Sequence, residues 1–252
     1  MAEIAAAGVG EVIVSWWGPG STEDVRLPAV MAAARAHGLA VALHIEPYAH
    51  RTAASVGSDI ARFAAEGITQ FYVYRPQDAP AAEWAAVNAS LPAGVQVLAE
   101  TPYAGFAAAG RFSGLYTYDI VGVPGSKFRR ICAEAHRRGL LCEPSVGPGY
   151  DATRATSDTR VKDRANGATY DAMWQAALRA GADAVTITSY NEWHEGTQIE
   201  PAAWGRPGYL SYDGAWGETG QAAAYAYLDR TRYWSARFLS TAPSPAAGDT
   251  PR

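Results

Sequence analysis

The chain is short of cysteine, of basic runs and of long apolar runs. Its 252 residues hold two cysteines, too few for a disulfide framework. Cys132 reads as helical and Cys142 as part of the following strand. Both read as buried small apolar residues, and nothing in the sequence supports a bond between them. The formal net charge is −4 and no basic run occurs, which argues against nucleic acid as a partner. No apolar run exceeds strand length, so no membrane segment is expected. Met1-Ala2-Glu3-Ile4 lacks the basic region and apolar core of a signal peptide, and the sequence leaves localisation open. No compact ligand set stands out, so neither a metal nor another cofactor is expected.

Aromatic residues are plentiful, with 8 Trp and 14 Tyr. Their flat apolar faces and polar edges suit stacking on sugar rings, although many belong to the core. Strands are expected at Glu11 to Trp16, Ala40 to Ile45, Thr69 to Tyr74, Val95 to Ala99, Leu115 to Tyr118, Leu140 to Cys142 and Ala184 to Thr188. Helices are expected at Met1 to Gly8, Thr22 to His37 with Thr22 as cap, Ala53 to Glu66, Ala81 to Asn88, Lys127 to Arg138, Ala168 to Ala180 and Thr219 to Leu239. Gly147 to Asp163 and Pro201 to Gly220 read as loops. Regular alternation of strand and helix predicts an α/β fold with a parallel sheet and helices outside it. The length suits a single (β/α)8 TIM-type barrel. Such a barrel has eight strands and only seven are visible, with the chain starting inside a helix, so the first βα unit is expected to be missing. Residues 1–240 are read as the barrel domain and 241–252, rich in Pro, Ala and Ser, as a disordered tail.

The densest chemistry follows the seventh strand. Ala184-Val185-Thr186-Ile187-Thr188 is a β-branched run, and Asn191, Glu192, His194 and Glu195 crowd in just behind it. Ionisable groups at the end of a buried strand cost desolvation energy, and a catalytic site is the usual reason for them in a parallel barrel. Glu192 and Glu195 fall on one side of a helical turn. Glycoside hydrolysis needs two carboxylates around one sugar, one of them holding a proton for the leaving oxygen. Glu46, Glu100, Asp119 and Glu143 also stand at expected strand ends, so the six acids are expected around one crevice. Crowding raises the proton affinity of some of them.

Asn191-Glu192-Trp193-His194-Glu195-Gly196-Thr197-Gln198-Ile199-Glu200 resembles the signature of glycoside hydrolase family 99, the endo-α-1,2-mannosidases and endomannanases. Further blocks match in order: Val14-Ser15-Trp16-Trp17-Gly18-Pro19-Gly20, His44-Ile45-Glu46-Pro47-Tyr48, Phe71-Tyr72-Val73-Tyr74, Leu115-Tyr116-Thr117-Tyr118, Pro144-Ser145-Val146-Gly147-Pro148-Gly149-Tyr150 and Arg164-Ala165-Asn166-Gly167. The resemblance implies an endo-acting, retaining hydrolase of α-1,2-mannosidic linkages in mannan or N-glycan arms, working through a 1,2-anhydro sugar. It implies that Glu192 serves the sugar 2-hydroxyl and that Glu195 is the acid/base. It also places a further strand with an aromatic cluster upstream of the residues seen here. Two departures stand out. Arg75 replaces the Asp usual after the third strand, and Asp119 to Ser126 is shorter than usual. If the first strand is missing, the chain is expected to be poorly soluble or weakly active.

The remaining site residues carry alternatives. Glu46 is expected to hold sugar hydroxyls, ahead of a role as an ion-pair partner or backbone cap. His44 reads equally as a core histidine or a ligand contact. His194 is placed to orient one acid. Of Trp16 and Trp17, one is expected to stack on a sugar and the other to pack. Tyr48, Tyr74, Tyr118, Tyr150 and Asn191 are expected substrate contacts. Arg164 and Asn166 either order the loop over the site or simply make a turn. A catalytically weak glycan-binding pseudoenzyme of the same fold is the alternative function. A metal-dependent hydrolase using His44, Glu46 and His194 is a third, resting on spacing that matches no specific metal pattern. The expected partner is an α-mannoside oligosaccharide bound by a monomer.

Overall fold

Val12, Val14 and Trp16 alternate with Glu11, Ile13 and Ser15 along the first strand, and this period of two recurs around the sheet. In the computed structural model, which describes residues 1–206 and 210–241, seven such strands lie in one parallel sheet. They are β1 (Glu11–Trp16), β2 (Ala40–Ile45), β3 (Gln70–Val73), β4 (Gln96–Glu100), β5 (Gly114–Thr117), β6 (Leu141–Val146) and β9 (Thr186–Ile187), adjacent in that order. A small antiparallel pair, β7 (Tyr150–Asp151) and β8 (Val161–Lys162), sits between β6 and β9 in sequence. The helices are α1 (Ala2–Ala6), α2 (Thr22–Ala36), α3 (Ala53–Ala65), α4 (Ala81–Ser90), α5 (Ala104–Ala109), α6 (Phe128–His136), α7 (Ala168–Ala180) and α8 (Gly220–Thr241).

One set of alternating residues faces the helices and forms the main core. Trp16, Leu43, Ile45, Phe71, Val73, Val97 and Leu115 belong to it. The other set faces inward, where Ala42, Tyr72, Leu98 and Tyr116 form a separate cluster beneath Tyr118. The inner face is polar for a core because it carries the site at its upper end. Fully burying one large apolar side chain of the outer set stabilises the fold by about 1.5–3 kcal/mol.

Helix ends follow local chemistry. Ser21, one residue before the expected Thr22, caps α2 by accepting a hydrogen bond from the Asp24 amide. Thr52 and Ser55 cap α3 reciprocally, satisfying donors that the first turn leaves free. The sequence reading passed over α5, although its run of alanines favours a helix. It also placed Gly147 to Asp163 as plain loop, where the β7–β8 pair stands.

Three further expectations are corrected. Cys132 on α6 and Cys142 on β6 are disulfide-bonded, because the return from helix to strand places their backbones side by side. β6 runs on to Val146, so Glu143 lies within the strand, points inward and is 3% exposed; it does not stand at the crevice mouth. The seventh strand of the sheet pairs over only Thr186 and Ile187, against Ser145 and Val146, and is shorter than the expected Ala184 to Thr188. The expected tail lies outside the described residues beyond Thr241, which closes α8.

β1 and β9 end the sheet, and among the described residues no ladder joins them. A cavity of about 840 Å³ opens in the gap, walled by Glu11 to Ser15 and Ala184 to Ser189 and floored by Tyr72 and Glu143. The fold is therefore a (β/α) barrel of seven strands, open on one side.

Candidate active site

The chain leaves β9 through a cis peptide between Thr188 and Ser189 and turns at once. The Ser189 hydroxyl accepts a hydrogen bond from the Glu192 amide at 3.0 Å and bonds the Thr197 hydroxyl at 2.8 Å. Trp193 to Glu195 make one 3-10 turn, which places Glu192 and Glu195 on neighbouring positions as the spacing predicts. Gly196 closes the turn at φ 64°, and a Cβ there would lie 3.0 Å from the Asp151 amide nitrogen. Only glycine takes this conformation this close to backbone without strain.

The acid-bearing turn is pinned from outside. Arg164 donates from Nη2 to the carbonyls of Gly196 (2.9 Å) and Gln198 (2.7 Å). Its guanidinium lies 5.0 and 4.7 Å from the ring centres of Tyr212 and Tyr227. Arg164 thus orders the site segment, while Asn166, at φ 49°, has the geometry of a turn. Trp193 donates from Nε1 to Glu200 at 2.6 Å, bracing the turn's other side.

Glu46, Tyr74, Tyr118 and the turn converge, as their mutual electrostatics show. Burial holds the Glu195 carboxyl above its usual range, and the charges of Glu192, Glu46, Asp119 and Asp158 push it the same way. Tyr118 feels Glu195, Glu192 and Glu46 after its own burial, and Tyr74 feels Glu100, Glu46 and Glu195. Burial also raises Glu100. A carboxyl whose proton affinity is raised by burial beside a second carboxyl has the arrangement that paired acid/base chemistry uses.

Other expected residues divide. Trp16 is fully buried: its indole donates to Asp24 and packs edge-on against Tyr48 and Phe63. It faces the helices, which corrects its expected contact with substrate, whereas Trp17 is 49% exposed. The Tyr48 hydroxyl is committed to Asp59 (2.6 Å) and Ser55 (2.9 Å) on α3, so Tyr48 shapes the β2 loop and its expected role at the substrate is corrected as well. Tyr150 donates to Asp158, which also pairs with Arg160. Asp119 is held below its usual range by the Gly122 and Val121 amides and by Arg160, a loop-fixing role. Asn191 and His194 are exposed on the turn. Arg75 is exposed and pairs with Asp78 at 3.1 Å.

His44 is 6% exposed. Its Nδ1 lies 2.7 Å from Glu46 and its Nε2 lies 2.7 Å from the Tyr116 hydroxyl. With both ring nitrogens engaged it has no lone pair for a metal, and among the described residues no cluster of three potential ligands forms. The sequence reading missed three residues here. Tyr116 shares the inward parity of Tyr118, a signal that was present. Arg51 bonds the carbonyls of Ile45, Tyr74 and Arg75, tying β2 to β3, and Arg160 bridges Asp119 and Asp158; neither left a sequence signal.

Known proteins are similar to this chain in sequence and fold. The sequence profile described as Glycosyl hydrolase family 99 matches residues 1–240. A glycoprotein endo-alpha-1,2-mannosidase-like protein of Danio rerio is 37% identical over 80% of this chain and 55% of its own length. A glycoprotein endo-alpha-1,2-mannosidase of Xenopus laevis is 29% identical over 95% of this chain and 61% of its own. The chain therefore spans somewhat more than half the length of these relatives. The structure of an endo-alpha-mannosidase from Bacteroides thetaiotaomicron superposes with a TM-score of 0.83 at 28% identity, over 95% of this chain and 82% of that one. With the profile running through every strand of the sheet and through the acid-bearing turn, the chain belongs to glycosyl hydrolase family 99.

Proposed function

We propose that the chain is an endo-acting, retaining hydrolase of α-1,2-mannosidic linkages in mannan or N-glycan arms, with Glu195 as acid/base and Glu192 as the base for the sugar 2-hydroxyl. The observation that carries this reading is Glu195, raised in proton affinity by burial with Glu192 beside it. The printed names of the relatives supply the linkage.

In the first step Glu192 takes the proton of the 2-hydroxyl, and that oxygen attacks the anomeric carbon. The bond to the leaving oxygen breaks, and Glu195 gives that oxygen its proton. A 1,2-anhydro sugar results. In the second step Glu195, now ionised, takes a proton from water, whose oxygen attacks the anomeric carbon. The three-membered ring opens and Glu192 returns its proton to the 2-oxygen. Two inversions give net retention, and an axial 2-hydroxyl reaches the back of the anomeric carbon once the ring is distorted. Trp17, Tyr74, Tyr118, Asn191 and Glu46 are the proposed sugar contacts.

The gap between β1 and β9 favours one second reading. Asn191 and Glu192 line the cavity that opens there, and a loosened pair of acids leaves a glycan-binding protein without turnover. Release of reducing sugar from α-1,2-linked mannan, followed with the product anomer by NMR, tests both. Retained configuration supports the hydrolase, binding without release supports the second reading, and an inverted product overturns the mechanism.

A further inference from the structure

The inner face holds a hydrogen-bonded line that the proposed reaction does not use. Glu46 Oε1, the His44 imidazole and the Tyr116 hydroxyl are joined by two contacts of 2.7 Å each. A carboxylate only accepts, so His44 Nδ1 donates to Glu46. Tyr116 is 2% exposed, among Ala42, Tyr72 and Leu98. Its proton needs an acceptor, and among the described residues the Tyr116 hydroxyl has no hydrogen-bond partner besides His44; the nearby Tyr72 oxygen already accepts from Gln70 while its proton goes to Glu143. The acceptor that remains is His44 Nε2. A neutral imidazole carrying its proton on Nδ1 satisfies every group in the line. A protonated ring would donate to the Tyr116 oxygen and leave the phenol proton without a partner in the core. The rings of Tyr74 and Tyr118 lie 5.3 Å from the imidazole on either side, each inclined by 37°, so it cannot turn without moving both.

We infer that His44 and Tyr116 are positioning residues: Tyr116 locks the Nδ1–H form of His44, which holds the Glu46 carboxylate in place beside Glu195. The inference rests on the acid/base role proposed for Glu195. Oε1 of Glu46 is taken by His44, and Oε2 has no bond among the described residues, which leaves it for a sugar hydroxyl. Glu46 faces His44 on its own strand, Arg51 behind it, Tyr74 from β3, Tyr118 and Tyr116 from β5, and Glu195 from the turn. Glu195 in turn faces Glu192, Glu46, Asp119, Asp158, Tyr74, Tyr118 and Tyr150. If the Tyr116 hydroxyl is removed, the proton of His44 is free to move to Nε2. The Nδ1 lone pair then meets the carboxylate, Glu46 swings away, and Glu195 loses one of the charges that hold its proton.

The test uses Tyr116→Phe, His44→Asn and His44→Gln in the full chain. Asparagine places an amide N–H near the position of Nδ1, whereas glutamine places one near Nε2. The expected result for Tyr116→Phe is a loss of roughly ten- to hundredfold in kcat/KM, with the alkaline limb of its pH profile moved to lower pH. His44→Asn is expected to keep more activity than His44→Gln. Nitrogen-15 NMR of the imidazole should show the Nδ1–H form in the wild type and its loss in Tyr116→Phe, and carbon-13 NMR of Glu195 should show titration at lower pH in the variant. An Nε2–H or doubly protonated ring in the wild type at neutral pH overturns the inference. So does a Tyr116→Phe protein whose Glu195 titration and pH profile match the wild type while only its melting temperature falls. The NMR arms need no substrate, so they decide the inference even if no α-mannoside is turned over, an outcome that defeats the proposed reaction alone.

Discussion

Glu195 and Glu192 differ in what amide replacement should do. Glu195→Gln keeps the shape but cannot supply a proton, so turnover of a natural mannoside is expected to fall by roughly a hundred- to ten-thousandfold. An aryl mannoside with a leaving group of low pKa needs less protonation, and the same variant should lose much less on it. Glu192→Gln is expected to lose as much on both substrates, since both need the 2-oxygen. Equal losses of Glu195→Gln on the two substrates would remove it from the acid role. A second residue-scale prediction concerns Glu143. Burial pushes its carboxyl up to about 7, above the 4.5 of a free carboxyl, and the Glu11 charge adds to the rise. The folded state therefore holds a proton that the unfolded state has released between these two values, so stability falls as pH rises through that window. Glu143→Gln keeps an acceptor for the Tyr72 hydroxyl and removes the charge. It is expected to raise the melting temperature at pH 8 and to change it little at pH 4.5. Melting curves of both proteins across that range check the sign.

The turn after β9 and the α6–β6 return are the two elements whose stability matters most. The turn has little regular structure of its own, and Arg164 holds it through two carbonyls. Arg164→Met keeps much of the packing on Tyr212 and Tyr227 but gives up both bonds. Turnover is expected to fall on the order of a hundredfold, the scale that a displacement near one ångström produces, with a smaller change in substrate affinity. Steady-state kcat and KM separate the two effects, and a rise in KM with kcat intact would assign Arg164 to binding. The disulfide closes a loop with a separation of 10 residues, short enough for a stabilisation of about 3 kcal/mol in the chain-entropy picture. The Cys132→Ala/Cys142→Ala double variant is expected to melt several degrees lower. An unchanged melting temperature under reducing and oxidising conditions would show that the bond contributes nothing measurable.

At the scale of the molecule the open side dominates. Among the described residues β1 and β9 have no strand paired to them along the gap, and Ile13 is exposed on the inner face of β1. Unpaired edges recruit other strands. The chain is therefore expected to self-associate with rising concentration, and sedimentation velocity at several concentrations measures this directly. A version in which an added strand-forming segment fills the gap is expected to be more soluble, to melt higher and to turn over α-1,2-mannoside faster, because the gap lies beside Asn191 and Glu192. Equal stability and activity of the two versions would show that the gap costs nothing.

Much of this was legible in the chain alone, for local reasons. A period of two in Glu11 to Trp16 and Ala40 to Ile45 marks strands whatever they pack against, and glycine or serine at helix ends marks boundaries within a residue or two. The order of strand and helix then dictates a parallel barrel, which gathers the acids that follow Ile45, Ala99, Thr117 and Ile187 on one face. What the local pattern does not carry is distance across the sheet. Tyr116 meets His44 over 72 residues of sequence, Glu11 raises Glu143 from another strand, and Cys142 meets Cys132 only because α6 lies back along β6. These pairings depend on the curl of the sheet and the tilt of the helices, set by the packing of the whole core. The direction of Trp16 stands between the two cases: its parity with Val12 and Val14 already pointed it at the helices, and only the bond to Asp24 made that decisive.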